Sequence, residues 1–190
     1  MTENAHISPA AHIRHVRQHS SIVIDADASP SGYIAWYNHY TGGKNIIPVR
    51  PSPKNERFGV QRMELLAIYF ALKENLAHIR RAFKRSSKRR IVVEVRSDSK
   101  TTVDQLRGTT QIRDSLMRRI VSVIGRLLAG MDYCTTIVFD HLERSRNIAG
   151  LMLEQKRRKE QEHRMEMRSS LYDMTGFAPP ISSSAAALCA

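Results

Sequence analysis

Three carboxylates in this chain interrupt apolar runs where an element should begin or end. Asp27 closes the first half of "SIVIDADASPSGYIAWY", Glu64 lies inside "RMELLAIYFAL", and Asp98 closes "VEVRSDS". Each has an ordinary explanation by itself. Asp27 can open a turn with Ser29 and Pro30, Glu64 can favour the positive end of a helix, and Asp98 can be a turn or cap residue. Taken together, in strand–helix–strand order, they point to one crevice at the end of a sheet. Acids that converge there repel one another unless a cation neutralises them. Hard oxygen donors of this kind suit Mg²⁺ or Mn²⁺. A further acid, Asp25, precedes Asp27 by two residues, so strand alternation puts both on one face, about 7 Å apart. Asp25 either joins the cation site or pairs with a nearby arginine such as Arg96.

The elements that must position these acids follow from the hydrophobic period. Residues 21–28 form a strand, "GYIAWYNHY" a second and "NIIPVR" a third, with a hairpin turn over "TGGKN". Pro48 marks the third as an edge strand or a bulge. The period then changes. "VQRMELLAIYFALKENLAHIRRAF" carries Met63, Leu66, Ala67, Phe70, Ala71 and Leu72 at helical spacing, with Glu64 in the first turn. "RIVVEVRS" is continuously β-branched and reads as a central strand. Ser99 caps a short helix that Gly108 ends. "QIRDSLMRRIVSVIGRLLAG" is amphipathic, with Leu116, Ile120, Val123, Ile124 and Leu127 on its apolar stripe. "TTIVFDHL" is the fifth strand, and "NIAGLMLEQKRRKEQEHRMEMRSS" the last helix.

The order β-β-β-α-β-α-α-β-α predicts an α/β fold with one mixed five-stranded sheet. The hairpin-linked strands pair antiparallel, the later ones return parallel through helices, and helices cover both faces. The domain is expected over 20–168. A flexible leader precedes it over 1–19, and a low-complexity tail or docking peptide follows over 169–190.

The chain has 190 residues and a formal net charge of +12. So basic a balance is the footprint of a polyanionic partner, most often nucleic acid. The densest basic stretch is "RRAFKRSSKRR", with seven cations and no acid. The "KRRKEQEHR" stretch mixes signs and reads as a solvated face. Cys134 and Cys189 form no metal-type or redox-type pair; Cys134 reads as a core thiol, which fits a reducing compartment, cytoplasmic or, in a eukaryotic or viral setting, nuclear. No apolar run is long enough to span a membrane, and the first residues lack the apolar core of a secretory signal.

Four stretches in this order resemble the ribonuclease H family, over about residues 21–155. "DASPSGYIAWY" resembles its first motif, in the form found in reverse-transcribing viruses and retroelements. "RMELLAIYFAL" is similar to the second, "RSDSKTTVDQL" to the third and "HLERSRNIAG" to the last. The resemblance implies hydrolysis of the RNA strand of an RNA–DNA hybrid with two divalent cations, Mg²⁺ or Mn²⁺. Asp27 would bridge both ions, Asp98 would hold the ion beside the attacking water, and Glu64 would hold the other and accept from a ribose 2′-hydroxyl. His141 would assist the water or product release. Ser29, Ser99, Lys100, Arg144 and Asn147 would contact nucleic acid. A larger replication or reverse-transcription assembly is a further implied partner.

One departure stands out. The family's fourth acid is Gly150 here. Glu154 lies one helical turn on and faces the same way, Asp140 ends the fifth strand, and Asp25 is the remaining substitute. Glu154, or a water in the gap, is the expected replacement. A module that binds nucleic acid or protein without catalysis is the alternative this glycine raises. A nuclease of the same superfold that acts on DNA is another.

Overall fold

The computed structural model describes residues 21–50, 57–86, 90–131 and 135–175, with side chains to residue 170. The expected leader, the segment from 176 onward, Cys134 and Cys189 lie outside the described residues. The elements run β1 (Ser21–Ser29), β2 (Tyr33–Asn38), β3 (Lys44–Pro48), α1 (Gly59–Arg85), β4 (Ile91–Ser97), α2 (Lys100–Leu106), α3 (Ser115–Ala129), β5 (Thr135–His141), a 3₁₀ turn (Arg144–Arg146) and α4 (Ile148–Thr175). This is the expected order. The five strands form one sheet in the order β3-β2-β1-β4-β5. The β1–β2 and β2–β3 pairs are antiparallel, and the β1–β4 and β4–β5 pairs parallel.

β1 is the middle strand because both its edges are paired and one whole face is apolar. Ile22, Ile24, Ala26 and Ala28 alternate into the core, beside Val93 and Val95 of β4. α1 covers that face with Met63, Leu65, Ala67, Ile68, Ala71, Leu72 and Ile79. Each fully buried Ile or Leu here contributes roughly 1.5–3 kcal/mol. Pro48 ends the edge strand β3, where its missing N–H costs no ladder bond. The other face carries a smaller cluster of Ala35, Ala149 and Leu153, so the start of α4 rests on β2.

Three local expectations shift. Leu66 and Phe70 are only half-buried, and Leu65 and Ile68 take their places against the sheet. α3 starts at Ser115 because Asp114 caps it: the Asp114 carboxylate accepts from the Met117 N–H at 2.8 Å. The helix therefore buries Met117, Ile120 and Ile124, and leaves Leu116 43% exposed. Arg62 donates to both oxygens of Asp114, at 3.0 and 2.7 Å, which ties α3 to α1 and holds the Asp114 carboxyl down at about 2.

The chain divides into two compact units, Met1–Leu153 and Glu154–Ala190, and the division falls within α4. The sheet and its packing belong to the first. In the second, α4 carries ion pairs one turn apart, Glu154 with Arg158 and Lys156 with Glu160.

Asp25 joins three parts of the first unit at one point. It is fully buried. Parallel pairing sets it beside Arg96 of β4, whose guanidinium donates to Oδ1 from two nitrogens, at 2.8 and 2.7 Å. Oδ2 meets His39 Nε2 at 2.8 Å and accepts from the Ile148 N–H, at the start of α4, at 3.2 Å. Removing the carboxylate would strand a partly buried guanidinium and free the first turn of α4. The Asp25→Ala variant is therefore expected to lose about 3–5 kcal/mol of stability in denaturant titration.

Candidate metal centre

The parallel pairing of β1 and β4 brings their C-terminal ends side by side. Asp27 lies near the end of β1, and Asp98 follows β4 directly. Glu64 reaches them from α1. It stands in the second turn, one turn deeper than expected, because the helix starts at Gly59 and Phe58 rather than an acid occupies its N-cap. Oxygen atoms from Asp27, Glu64 and Asp98 all lie within 4.8 Å of one another. Sequence alone had proposed this trio, and the fold brings it together.

The trio is buried and crowded. Asp27 is 1% exposed and Glu64 6%. Burial, then the Asp98 charge, pushes the Asp27 carboxyl up to about 7, against a smaller opposing effect of Arg144. Burial, then the charges of Asp27 and Asp98, pushes Glu64 well above the usual carboxylate range. Oδ1 of Asp27 is buried with no hydrogen-bond partner. An orphaned oxygen, three converging carboxylates and raised proton affinities fit a hard divalent cation. Asp27, Glu64 and Asp98 are the residues that would hold it.

Ser97 and Arg144 make the supporting contacts. Ser97 ends the buried alternation of β4, and its hydroxyl donates to Glu64 Oε2 at 3.4 Å while accepting the Ser99 N–H at 3.1 Å. A small polar residue at the end of an apolar strand was the only signal for it. Arg144 donates to Asp98 Oδ2 at 3.2 Å from a side chain that is 75% exposed.

The grouped carboxylates include none of the other expected site residues. Asp25 is engaged by Arg96, His39 and the Ile148 N–H, so it serves as an anchor and is not one of the grouped carboxylates. The Glu154 carboxylate takes Arg158 as a partner at 2.6 Å, one turn along its own helix. Asp140 pairs with Arg107 at 2.6 Å. Asn147 is fully buried, so the expected nucleic-acid contact is corrected to a structural role. Its amide donates to Ala26 O at 3.2 Å and Asp98 Oδ1 at 3.4 Å, and its oxygen accepts the Gly150 N–H at 3.4 Å, capping α4. Ser29 is half-buried and its hydroxyl bonds Ser31 at 2.6 Å. The Ser99 hydroxyl donates to Thr102 at 2.8 Å. Lys100 and His141 are exposed, Lys100 at the start of α2 and His141 at the end of β5.

Gly150 has a steric reason. A Cβ built on it would lie 2.8 Å from Asp27 Oδ2. The first turn of α4 thus passes so close to the centre that only hydrogen fits at this position without moving Asp27.

No protein-family model matches the chain, and no curated protein matches it in sequence. Solved structures do match its fold. The ribonuclease H1 of the halophilic archaeon Halobacterium salinarum is 19% identical, with a TM-score of 0.51, over 68% of this chain and 91% of that one. LC11-RNase H1, isolated from compost by a metagenomic approach, is 17% identical in its complex with an RNA/DNA hybrid. That match has a TM-score of 0.52 and covers 67% of this chain and 88% of that one. The chain has the ribonuclease H fold.

Two substitutions test this centre, without the cation and with it. The folded state holds the Asp27 proton more tightly than the unfolded chain does. That contribution is fully present below about pH 4 and is lost as pH rises through about 7. In EDTA, Asp27→Asn should be more stable than the parent by about 2–4 kcal/mol at pH 8, with the gap closing towards pH 4. Urea unfolding across that range measures it. Mg²⁺ should raise the melting temperature of the parent and not of the variant. At Gly150, alanine gains about 1 kcal/mol of helix propensity but presses on a short buried side chain. Gly150→Ala is therefore expected to lose about 1–3 kcal/mol net and to weaken the Mg²⁺-induced rise in melting temperature.

Proposed function

We propose that the chain is a divalent-cation-dependent endonuclease that hydrolyses the RNA strand of RNA–DNA hybrids. The observation that carries this reading is the convergence of Asp27, Glu64 and Asp98 around an unsatisfied buried oxygen, at the strand ends of a ribonuclease H fold. A protein that used this crevice only to bind would gain nothing from three crowded acids, since they destabilise the fold when no cation is present. The similarity to a structure that contains an RNA/DNA hybrid supports the same substrate class. So does the net charge of +12.

The residues divide the work. Asp27, Glu64 and Asp98 hold the cation, which when bound draws charge from the scissile phosphate and acidifies a water. Ser97 and Asn147 keep Glu64 and Asp98 in place. Arg144 and Lys100, both exposed, receive backbone phosphates, and a ribose 2′-hydroxyl meets Glu64 as an acceptor, the contact that separates RNA from DNA. His141, exposed at the end of β5, would assist the attacking water or product release. Gly150 favours a second reading, a module that binds hybrids without cutting them.

One assay separates the two: a labelled RNA–DNA hybrid incubated in Mg²⁺ and in Mn²⁺ with the parent, Asp27→Asn and Asp98→Asn. The expected result is cleavage confined to the RNA strand and reduced at least about 100-fold in both variants. Salt-sensitive hybrid binding without cleavage in either metal would replace the nuclease by the binding module.

A further inference from the structure

We propose that the second unit carries a nucleic-acid contact of its own, a stripe of Arg157, Arg164 and Arg168 on α4 that lies along the phosphates of one strand of a bound duplex. This contact rests on the nucleic-acid partner argued above and needs no catalysis at the acidic centre.

In sequence the signs are mixed, and Glu154–Ala190 holds six cations and five acids. On the helix they separate. An α-helix turns about 100° per residue, so positions seven and eleven residues on return to nearly the same direction. Arg157, Gln161, Arg164 and Arg168 share an arc about 60° wide, and all four are exposed. Glu162 and Glu166 fall on the opposite side. The acids flanking the stripe are each matched by a cation beyond them, Glu154 by Arg158 at 2.6 Å and Glu160 by Lys156 at 3.1 Å. The flanks are thereby neutralised, and the stripe is the positive side of the helix. A merely solvated helix gains from opposite charges one turn apart. Arg164 and Arg168 are one turn apart with like charge, an arrangement that weakens an isolated helix and that a polyanion relieves.

The spacing and chemistry suit a phosphodiester backbone. Arg157 and Arg168 are about 16 Å apart along the helix axis. A duplex strand offers a phosphate about every 3.4 Å of its axis, so a helix laid along it meets roughly five. The planar guanidinium matches phosphate oxygens in pairs. A lipid surface would instead require an apolar face. Met165 and Met167, 70% and 62% exposed, stand on either side of the stripe, about 160° apart, and the far side carries Glu162 and Glu166.

The test is fluorescence anisotropy with a labelled RNA–DNA hybrid and the full chain, in EDTA and at several salt concentrations. Arg157→Gln, Arg164→Gln and Arg168→Gln together are expected to weaken binding roughly 10- to 100-fold near 0.1 M salt, and to lower the slope of log affinity against log salt by about 2–3. Glutamine is a good helix former, so circular dichroism should keep its helical signal. Arg164→Gln alone should lower the slope by about 1. Lys159→Gln removes the same charge from the far side and should leave the slope unchanged. A triple variant with the parent's affinity and slope, or equal losses from Arg164→Gln and Lys159→Gln, would overturn the proposal. So would a triple variant that keeps the hybrid but loses phosphatidylserine vesicles, which would assign the stripe to a lipid surface. A parent that binds no hybrid at low salt would overturn this contact and the nuclease reading together. If the parent binds hybrid without cutting it in Mg²⁺ or Mn²⁺, and the triple variant binds more weakly, the nuclease reading fails and the stripe stands.

Discussion

The governing constraint in this molecule is the mutual repulsion of three carboxylates confined within 4.8 Å. Two of them are buried, so water cannot screen them. A flexible chain would relax by swinging the acids apart. This fold prevents that by taking each acid from a different rigid element: the middle strand, the longest helix of the first unit, and the exit of β4. The packing of α1 on the sheet is therefore what the crowding is set against. The same burial that makes the crevice a poor place for three bare charges makes it a good place for a cation with few waters of its own.

A second buried carboxylate shows the opposite solution. Asp25 and Asp27 are two residues apart on one strand, and both are almost wholly buried. Asp25 has Arg96, His39 and a backbone N–H around it. Asp27 keeps an oxygen with no partner. The contrast separates an acid whose oxygens are both engaged from one that keeps a buried oxygen unsatisfied. The two are also linked, because the N–H that Asp25 holds begins the turn that carries Gly150 against Asp27. The anchor sets how closely α4 approaches the centre.

Much of this was legible in the sequence, and the parts that were not have a common cause. Element order, a mixed sheet with antiparallel and then parallel pairs, and the Asp27–Glu64–Asp98 trio followed from periodicity and from charges at the ends of apolar runs. Those signals are local. The choice between two roles for Asp25 was not local, since Arg96 lies 71 residues away and only strand register sets them side by side. Ser97 and Asn147 act through buried hydrogen bonds that leave no pattern. Asn147 was expected to contact nucleic acid because it falls in the motif that resembles the family's last, yet the chain turns it inward to cap α4. Gly150 read as a missing acid. Its steric reason appears only when the distance to Asp27 is known.

The large positive charge also needs a place relative to the centre. The exposed cations Arg80, Arg81, Lys84, Arg85 and Arg90 sit where α1 ends and β4 begins. Asp98 follows the other end of β4, seven residues on, about 20 Å away along the strand. No single phosphate touches both. A duplex long enough to reach from one to the other would meet phosphates at each, with the distant cluster adding salt-sensitive affinity but no influence on bond cleavage. On the nuclease reading proposed above, a charge acting on the reacting phosphate would have to be local, and among the described residues Arg144 is the arginine in contact with the acidic trio. That reading would assign affinity and chemistry to different cations, one group at the start of β4 and the other in contact with the acid that follows its end.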